Sequence, residues 1–253
     1  MIKTLGRFAL ILLTVQAFTL TPVFAQNLKV AIAANLQPVM KALQKDFKTK
    51  SGVSIDVISG PSGGLTTQIR NGAPFDVFLS ADMSFPETLH RSGFALQKPV
   101  VYAQGVLIVC STQKLDFSKW ARLITTPAIE KVAVGNPAIA PYGKAAVQTL
   151  KKAGVYNKVE SKIVVGESIT QVNTYITTGS VQAGFTTLAL VKDPANTKPL
   201  HWFVIDPKTY NAIQQGMVVL KHGKGNANAE KFYTYMLSAN AKSIFKTYGY
   251  HVQ

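Results

Sequence analysis

From residue 28 onward, short apolar runs alternate with stretches of helical spacing. Leu28-Lys29-Val30-Ala31-Ile32-Ala33 reads as a strand. Leu36, Val39, Met40, Leu43 and Phe47 then recur at three- and four-residue intervals, which predicts an amphipathic helix with Asn35 as its N-cap and Gly52 at its end. Val53 to Ile58 reads as a second strand, and Ser59-Gly60-Pro61-Ser62-Gly63-Gly64 as a glycine-rich turn. Leu65 and Ile69 mark a short helix that stops at Asn71-Gly72, and Phe75 to Leu79 is a third strand. The order β-α-β-α-β with short connections predicts a parallel sheet with right-handed crossovers.

A second series follows the first. Val106 to Val109, Lys131 to Val134, Lys162 to Val165 and Ala183 to Thr187 read as strands. Helices are expected from Pro141 through Leu150, closed by Gly154, and from the Ser168 cap through Ile169, Val172 and Ile176, closed by Gly179. Gly216 to Leu220 reads as a strand returning to the first unit, and two helices finish the chain near 228–237 and 241–248. The fold class is therefore α/β. Two lobes are expected, the first discontinuous (26–103 and 216–253) and the second spanning 104–215. There is no low-complexity linker, which suits a hinge of two strands.

The first 25 residues differ in kind. Lys3 and Arg7 precede an apolar run from Phe8 to Thr19, and Val23-Phe24-Ala25 sets small or apolar residues before a cut. That pattern predicts a signal peptide for residues 1–25, cleaved after Ala25, and a periplasmic protein. The run is too short to span a membrane comfortably. Formal charge is +15, of which Lys3 and Arg7 supply two. The lysines are scattered and not interleaved with aromatics, so no nucleic-acid partner is expected. The charge is read as a solvated surface whose field favours anions. Cys110 is alone inside an apolar run and reads as a small buried hydrophobe.

One pattern recurs in both units: a strand ends, a small or polar residue follows, and a helix begins. It occurs at Ala33-Ala34-Asn35-Leu36, at Pro61-Ser62-Gly63-Gly64, at Ala140-Pro141-Tyr142-Gly143 and at Glu167-Ser168-Ile169-Thr170. In a parallel α/β sheet such turns lie at the carboxyl ends of the strands, where ligands bind. Helix starts there expose unpaired N–H groups and a partial positive charge, so several converging would hold an anion without a charged side chain. Ser62 and Asn35 could add a hydroxyl and an amide, or could simply cap helices. Pro141 could serve only to start a helix.

Enzyme signatures are missing from the sequence. His90, His201, His222 and His251 show no metal spacing, and there is neither a nucleophile elbow nor a Walker lysine. Asp76 and Asp82 flank the third strand and suit bonding to backbone N–H groups better than pairing with each other.

At these residues the chain resembles the periplasmic molybdate-binding proteins of ABC transporters. The resemblance is carried by Val30 to Asn35, Ser59 to Leu65, Asn71 to Asp82, Gly135-Asn136-Pro137, Ala140 to Gly143 and Glu167-Ser168-Ile169. It implies a type II periplasmic-binding-protein fold that holds a dehydrated tetrahedral oxyanion, molybdate or tungstate, between two lobes. It further implies no catalysis and no cofactor, a monomer, and delivery to a membrane permease with its ATPase. The binding positions it implies are Asn35, Ser62, Tyr142 and Ile169, with Ser62 and Ile169 serving as ligands of the molybdate oxygens rather than of a bare metal ion. Ala34, Gly63, Ser168 and Thr187 are weaker candidates. Some members carry a tyrosine hydroxyl where this chain has Thr187, which leaves the fifth contact open. Two other readings stay open: a binder of sulfate or another tetrahedral oxyanion, and a periplasmic enzyme on the same fold.

Overall fold

A computed structural model describes residues 27–252. The expected leader and its cleavage point lie outside the described residues. The opening strand β1 (Leu28–Ala33) pairs in parallel with β2 (Ile55–Gly60) and β3 (Val77–Leu79), with α1 (Gln37–Ser51) and α2 (Ser62–Arg70) as the crossovers. After α3 (Ser84–Arg91), β4 (Val100–Gly105) ends the first passage through this lobe. Val106 separates it from β5 (Leu107–Ser111), the first strand of the other sheet.

The second lobe continues through α4 (Trp120–Leu123), β6 (Val132–Gly135), α5 (Pro141–Lys152), α6 (Tyr156–Val159), β7 (Ile163–Gly166), α7 (Ile169–Thr177), β8 (Ala183–Thr187), α8 (Leu188–Lys192) and β9 (His201–Val204). The chain then returns on β10 (Ile213–Val219) and closes with α9 (Ala227–Met236) and α10 (Ala239–Thr247). The two sheets share one plan, β2-β1-β3-β10-β4 and β7-β6-β8-β5-β9. In each, the strand arriving from the other lobe takes the fourth place, antiparallel to both neighbours.

Alternation explains the layering of the first lobe. Val30, Ile32, Val77, Leu79, Met217 and Val219 face a core shared with α1, α9 and α10, among them Leu43, Phe47, Phe232 and Phe245. Their neighbours Ala31, Phe78 and Val218 face the opposite core, with Leu65 and Ile69 of α2 and Leu89 of α3. Both sides of the sheet are thus buried, which is why the strands read as unbroken apolar runs. Cys110 lies on β5, fully buried, and burial pushes its thiol up to about 12.

Several local expectations need correction. The chain enters α1 through a 3-10 turn, Ala34–Leu36, and the helix starts at Gln37 with Pro38 in its first turn. Asn35 therefore does not cap α1; its side chain turns inward to buried partners. Ser62 is the first residue of α2 and Pro61 occupies the cap position, with no side-chain cap bond. The returning strand begins at Ile213, earlier than Gly216, and β4 runs to Gly105, beyond position 103. β4, β9 and α3 gave no sign in the sequence pattern. β9 is an edge strand whose Trp202, Phe203 and Val204 are all partly exposed, so no inward–outward alternation marks it.

Candidate functional site

Strands β1, β2 and β3 of one lobe and β6 and β7 of the other deliver their carboxyl ends to the gap between the sheets. A cavity of about 10 Å3 lies there. Ala33, Ala34 and Asn35 line it after β1, Pro61 and Ser62 after β2, and Ala81 after β3. From the second lobe come Ala140, Pro141 and Tyr142 at the start of α5, and Ile169 at the start of α7. The space between the lobes is narrow at this point. None of the lining residues is Lys, Arg, His, Asp or Glu.

Its donors come from helix starts. Ser62 and Ile169 are the first residues of their helices and Tyr142 the second of its own, so their N–H groups have no carbonyl of the same helix to meet. The Asn35 N–H sits in the 3-10 turn that ends β1. Ser62 is 1% exposed, and its Oγ accepts from the Ala81 N–H at 3.0 Å. The hydroxyl proton is left to point elsewhere.

Asn35 is buried too, and both amide hydrogens are committed, to Gln215 Oε1 at 3.0 Å and to the Tyr250 hydroxyl at 3.2 Å. Its Oδ1 has no hydrogen-bond partner among the described residues. The backbone N–H is then the donor this residue has to offer. Tyr142 sends its ring away to the hinge, where its hydroxyl accepts from Gln215 Nε2 at 3.3 Å. Burial, first, and neighbouring tyrosines hold that hydroxyl's pKa well above the ordinary value, so it stays neutral.

Ala34, Asn35, Ser62, Tyr142 and Ile169 are thus brought to one cavity, whereas Gly63, Ser168 and Thr187 do not line it. The Gly63 N–H is taken by the Ile139 carbonyl at 3.0 Å, a bond that ties the lobes together beside the cavity. Ser168 caps α7, its Oγ accepting from the Gln171 N–H at 3.3 Å. Thr187 precedes α8, and its Oγ1 is buried without a partner among the described residues. Sequence reasoning missed Ala81 as a wall of the cavity and Gln215 as the partner of Asn35 and Tyr142. An alanine carries no chemical signal, and a glutamine inside a strand reads as a solvent-facing residue.

A larger groove of about 550 Å3 runs between α1 and α7, with Lys41 and Asp193 on its walls. It is mixed in charge, and a bond from Thr170 Oγ1 to Gln37 Oε1 at 2.7 Å crosses between the lobes there. Elsewhere two of the acids are occupied structurally. Asp76 accepts from the Lys29 N–H at 2.8 Å and faces His222 Nδ1 at 3.0 Å. Asp82 accepts from the Ser84 hydroxyl at 2.9 Å and the Phe85 N–H at 3.3 Å. No group of three or more His, Cys, Asp or Glu among the described residues is placed to hold a metal ion.

Comparison with known proteins agrees with this architecture. The family model described as bacterial extracellular solute-binding protein matches residues 28–251. The molybdate-binding protein ModA of Azotobacter vinelandii is 36% identical over 231 residues, 90% of this chain and 91% of that one. ModA of Rhodobacter capsulatus is 34% identical over 232 residues, 90% of each chain. The solved structure of the Azotobacter vinelandii periplasmic molybdate-binding protein superposes with a TM-score of 0.85 at 33% identity, covering 90% of this chain and 100% of that one. The shared fold is that of the periplasmic binding proteins, and these relatives are named for binding, not for a reaction.

Proposed function

The chain belongs to the bacterial extracellular solute-binding proteins, and from that premise we propose that it captures molybdate, or tungstate, in the cleft between its lobes and delivers it to the membrane permease of an ABC importer. The observation that carries this reading is a small cavity, walled by both lobes and free of charged side chains, onto which helix starts open. The relatives' names support the choice of molybdate.

The backbone N–H groups of Asn35, Ser62, Tyr142 and Ile169 and the Ser62 hydroxyl replace the water that a dianion sheds on entering. Each bond is charge-assisted by the anion and shorter and stronger than a neutral one. The positive ends of α2, α5 and α7 add a fixed field without any counter-charge to desolvate. Neutral donors avoid the penalty of burying a lysine or arginine beside the anion. Because the donors are backbone groups at the ends of packed strands, the cavity keeps one size, which favours the larger oxyanion over sulfate. No carboxylate lines the cavity, so the hydroxyl of a protonated phosphate lacks a charged acceptor. Tungstate, alike in charge and shape, is held in the same way.

The moving bodies are the two sheets with their helices, joined at Val106 and just before Ile213. An exported monomer closed on its anion presents the surface that the permease reads, and the ligand contributes the contacts that favour the closed state. Titration calorimetry with molybdate, tungstate and sulfate tests the reading. Molybdate and tungstate are expected to bind one to one and sulfate more weakly; equal or tighter sulfate binding contradicts it.

A further inference from the structure

Gln215 lies on β10, one of the two strands that cross between the lobes, where a bulge shifts the β10–β4 register between Gln215 and Gly216. Its side chain is fully buried. Oε1 accepts from Asn35 Nδ2 at 3.0 Å and from the Tyr102 hydroxyl at 2.9 Å, and Nε2 donates to the Tyr142 hydroxyl at 3.3 Å. Asn35 and Tyr142 line the cavity from opposite lobes, so a single amide spans the two halves of the site. The Tyr142 hydroxyl also reaches the other crossing strand. A side chain at Gly105 would collide with that hydroxyl and with the Gln215 amide, so the absence of one lets the ring enter between the crossing strands.

We propose that Gln215 is a positioning residue that fixes the separation of the Asn35 and Tyr142 donors across the closed cleft, and with it the size of oxyanion the site prefers. The proposal rests on the oxyanion reading given above. An amide is suited to this place because it offers an acceptor to one lobe and a donor to the other while staying neutral. A carboxylate would bring negative charge toward the anion, and an alkyl group would strand buried polar atoms on both sides. The surrounding partners stiffen the link. The Tyr250 hydroxyl donates to the Asn35 carbonyl at 2.8 Å, and the single Tyr102 proton is shared between Gln215 Oε1 and the Ser80 carbonyl, each 2.9 Å away, the latter next to Ala81 in the cavity wall. Loosening this hub lets the two donor sets settle around a smaller anion, so selectivity changes and not affinity alone.

Titration calorimetry of Gln215→Leu, Tyr142→Phe and the double variant, each with molybdate and with sulfate, tests this. Each single variant is expected to lose roughly three- to tenfold in molybdate affinity and less in sulfate affinity, so that the ratio narrows. The double variant is expected to lose no more than the more severe single, since Gln215→Leu already breaks the bond that Tyr142→Phe removes. Equal losses for the two anions, or an unchanged ratio, overturn the proposal. Should Gln215→Leu fail to fold, Tyr142→Phe decides alone, because it removes a single oxygen and leaves the backbone donor in place. If the unaltered protein binds neither anion, the oxyanion reading has itself failed and this proposal falls with it.

Discussion

On the proposed reading, Ser62 is the residue on which structure and binding meet most directly. Its Oγ holds the buried Ala81 N–H while its proton stays available. Ser62→Ala is expected to weaken molybdate binding by about tenfold or more, the scale of one hydrogen bond to a charged group. It should also cost about 1–3 kcal/mol of stability by leaving the Ala81 N–H unpaired; calorimetry and urea unfolding read the two effects separately. The buried tyrosines make a second prediction. Burial above all raises the hydroxyls of Tyr102, Tyr142 and Tyr250 above their ordinary value of 10.0. Above that pH the unfolded chain releases protons that the fold retains, so stability is full below about pH 10 and falls as pH rises beyond it. Urea midpoints at about pH 8 and about pH 11 should differ in that direction, and equal midpoints would contradict the burial. Ser62, Tyr142 and Ile169 were legible in the sequence as helix starts after strands. The fate of the Asn35 side chain was not, because its partners Gln215 and Tyr250 are 180 and 215 residues away and only the closed fold brings them near.

At the scale of elements, the sequence was most informative where both faces of a strand are buried or one face of a helix is. β1, β3, α1, α5 and α7 were all visible from spacing and from terminal signals such as the Ser168 cap and the left-handed Gly52. β4, β9 and α3 escaped because partly exposed edge strands and a short helix with Pro86 in its first turn lack a clean period. Ser168 shows how local chemistry and site can share a place without sharing a role. Its Oγ caps the helix whose first N–H belongs to Ile169. Ser168→Ala is expected to cost about 1 kcal/mol of stability, read as a lower melting temperature, while molybdate affinity falls less than in Ser62→Ala. A larger loss of affinity than in Ser62→Ala would place Ser168 in direct contact with the anion.

For the molecule as a whole, the element order foretold two α/β lobes with two crossings, but not how closely they meet. The Gly63 N–H bond to the Ile139 carbonyl joins them beside the cavity. A Cβ at Gly63 would lie 2.9 Å from the Ile139 Cβ and 3.0 Å from its Cα. Gly63→Ala should therefore hold the lobes apart: small-angle scattering is expected to show less compaction on adding molybdate, with calorimetric affinity reduced and the urea midpoint of the ligand-free protein little changed. The excess of lysine and arginine over acids draws anions toward the protein in general; on the proposed reading, selection takes place in a cavity without charged side chains. A crystal structure of the protein with molybdate tests that division most directly. The account predicts the anion between the lobes, bonded to the backbone N–H groups of Asn35, Ser62, Tyr142 and Ile169 and to the Ser62 hydroxyl, with no lysine or arginine touching it. An anion gripped by a cationic side chain, or seated outside the gap between the sheets, would contradict it.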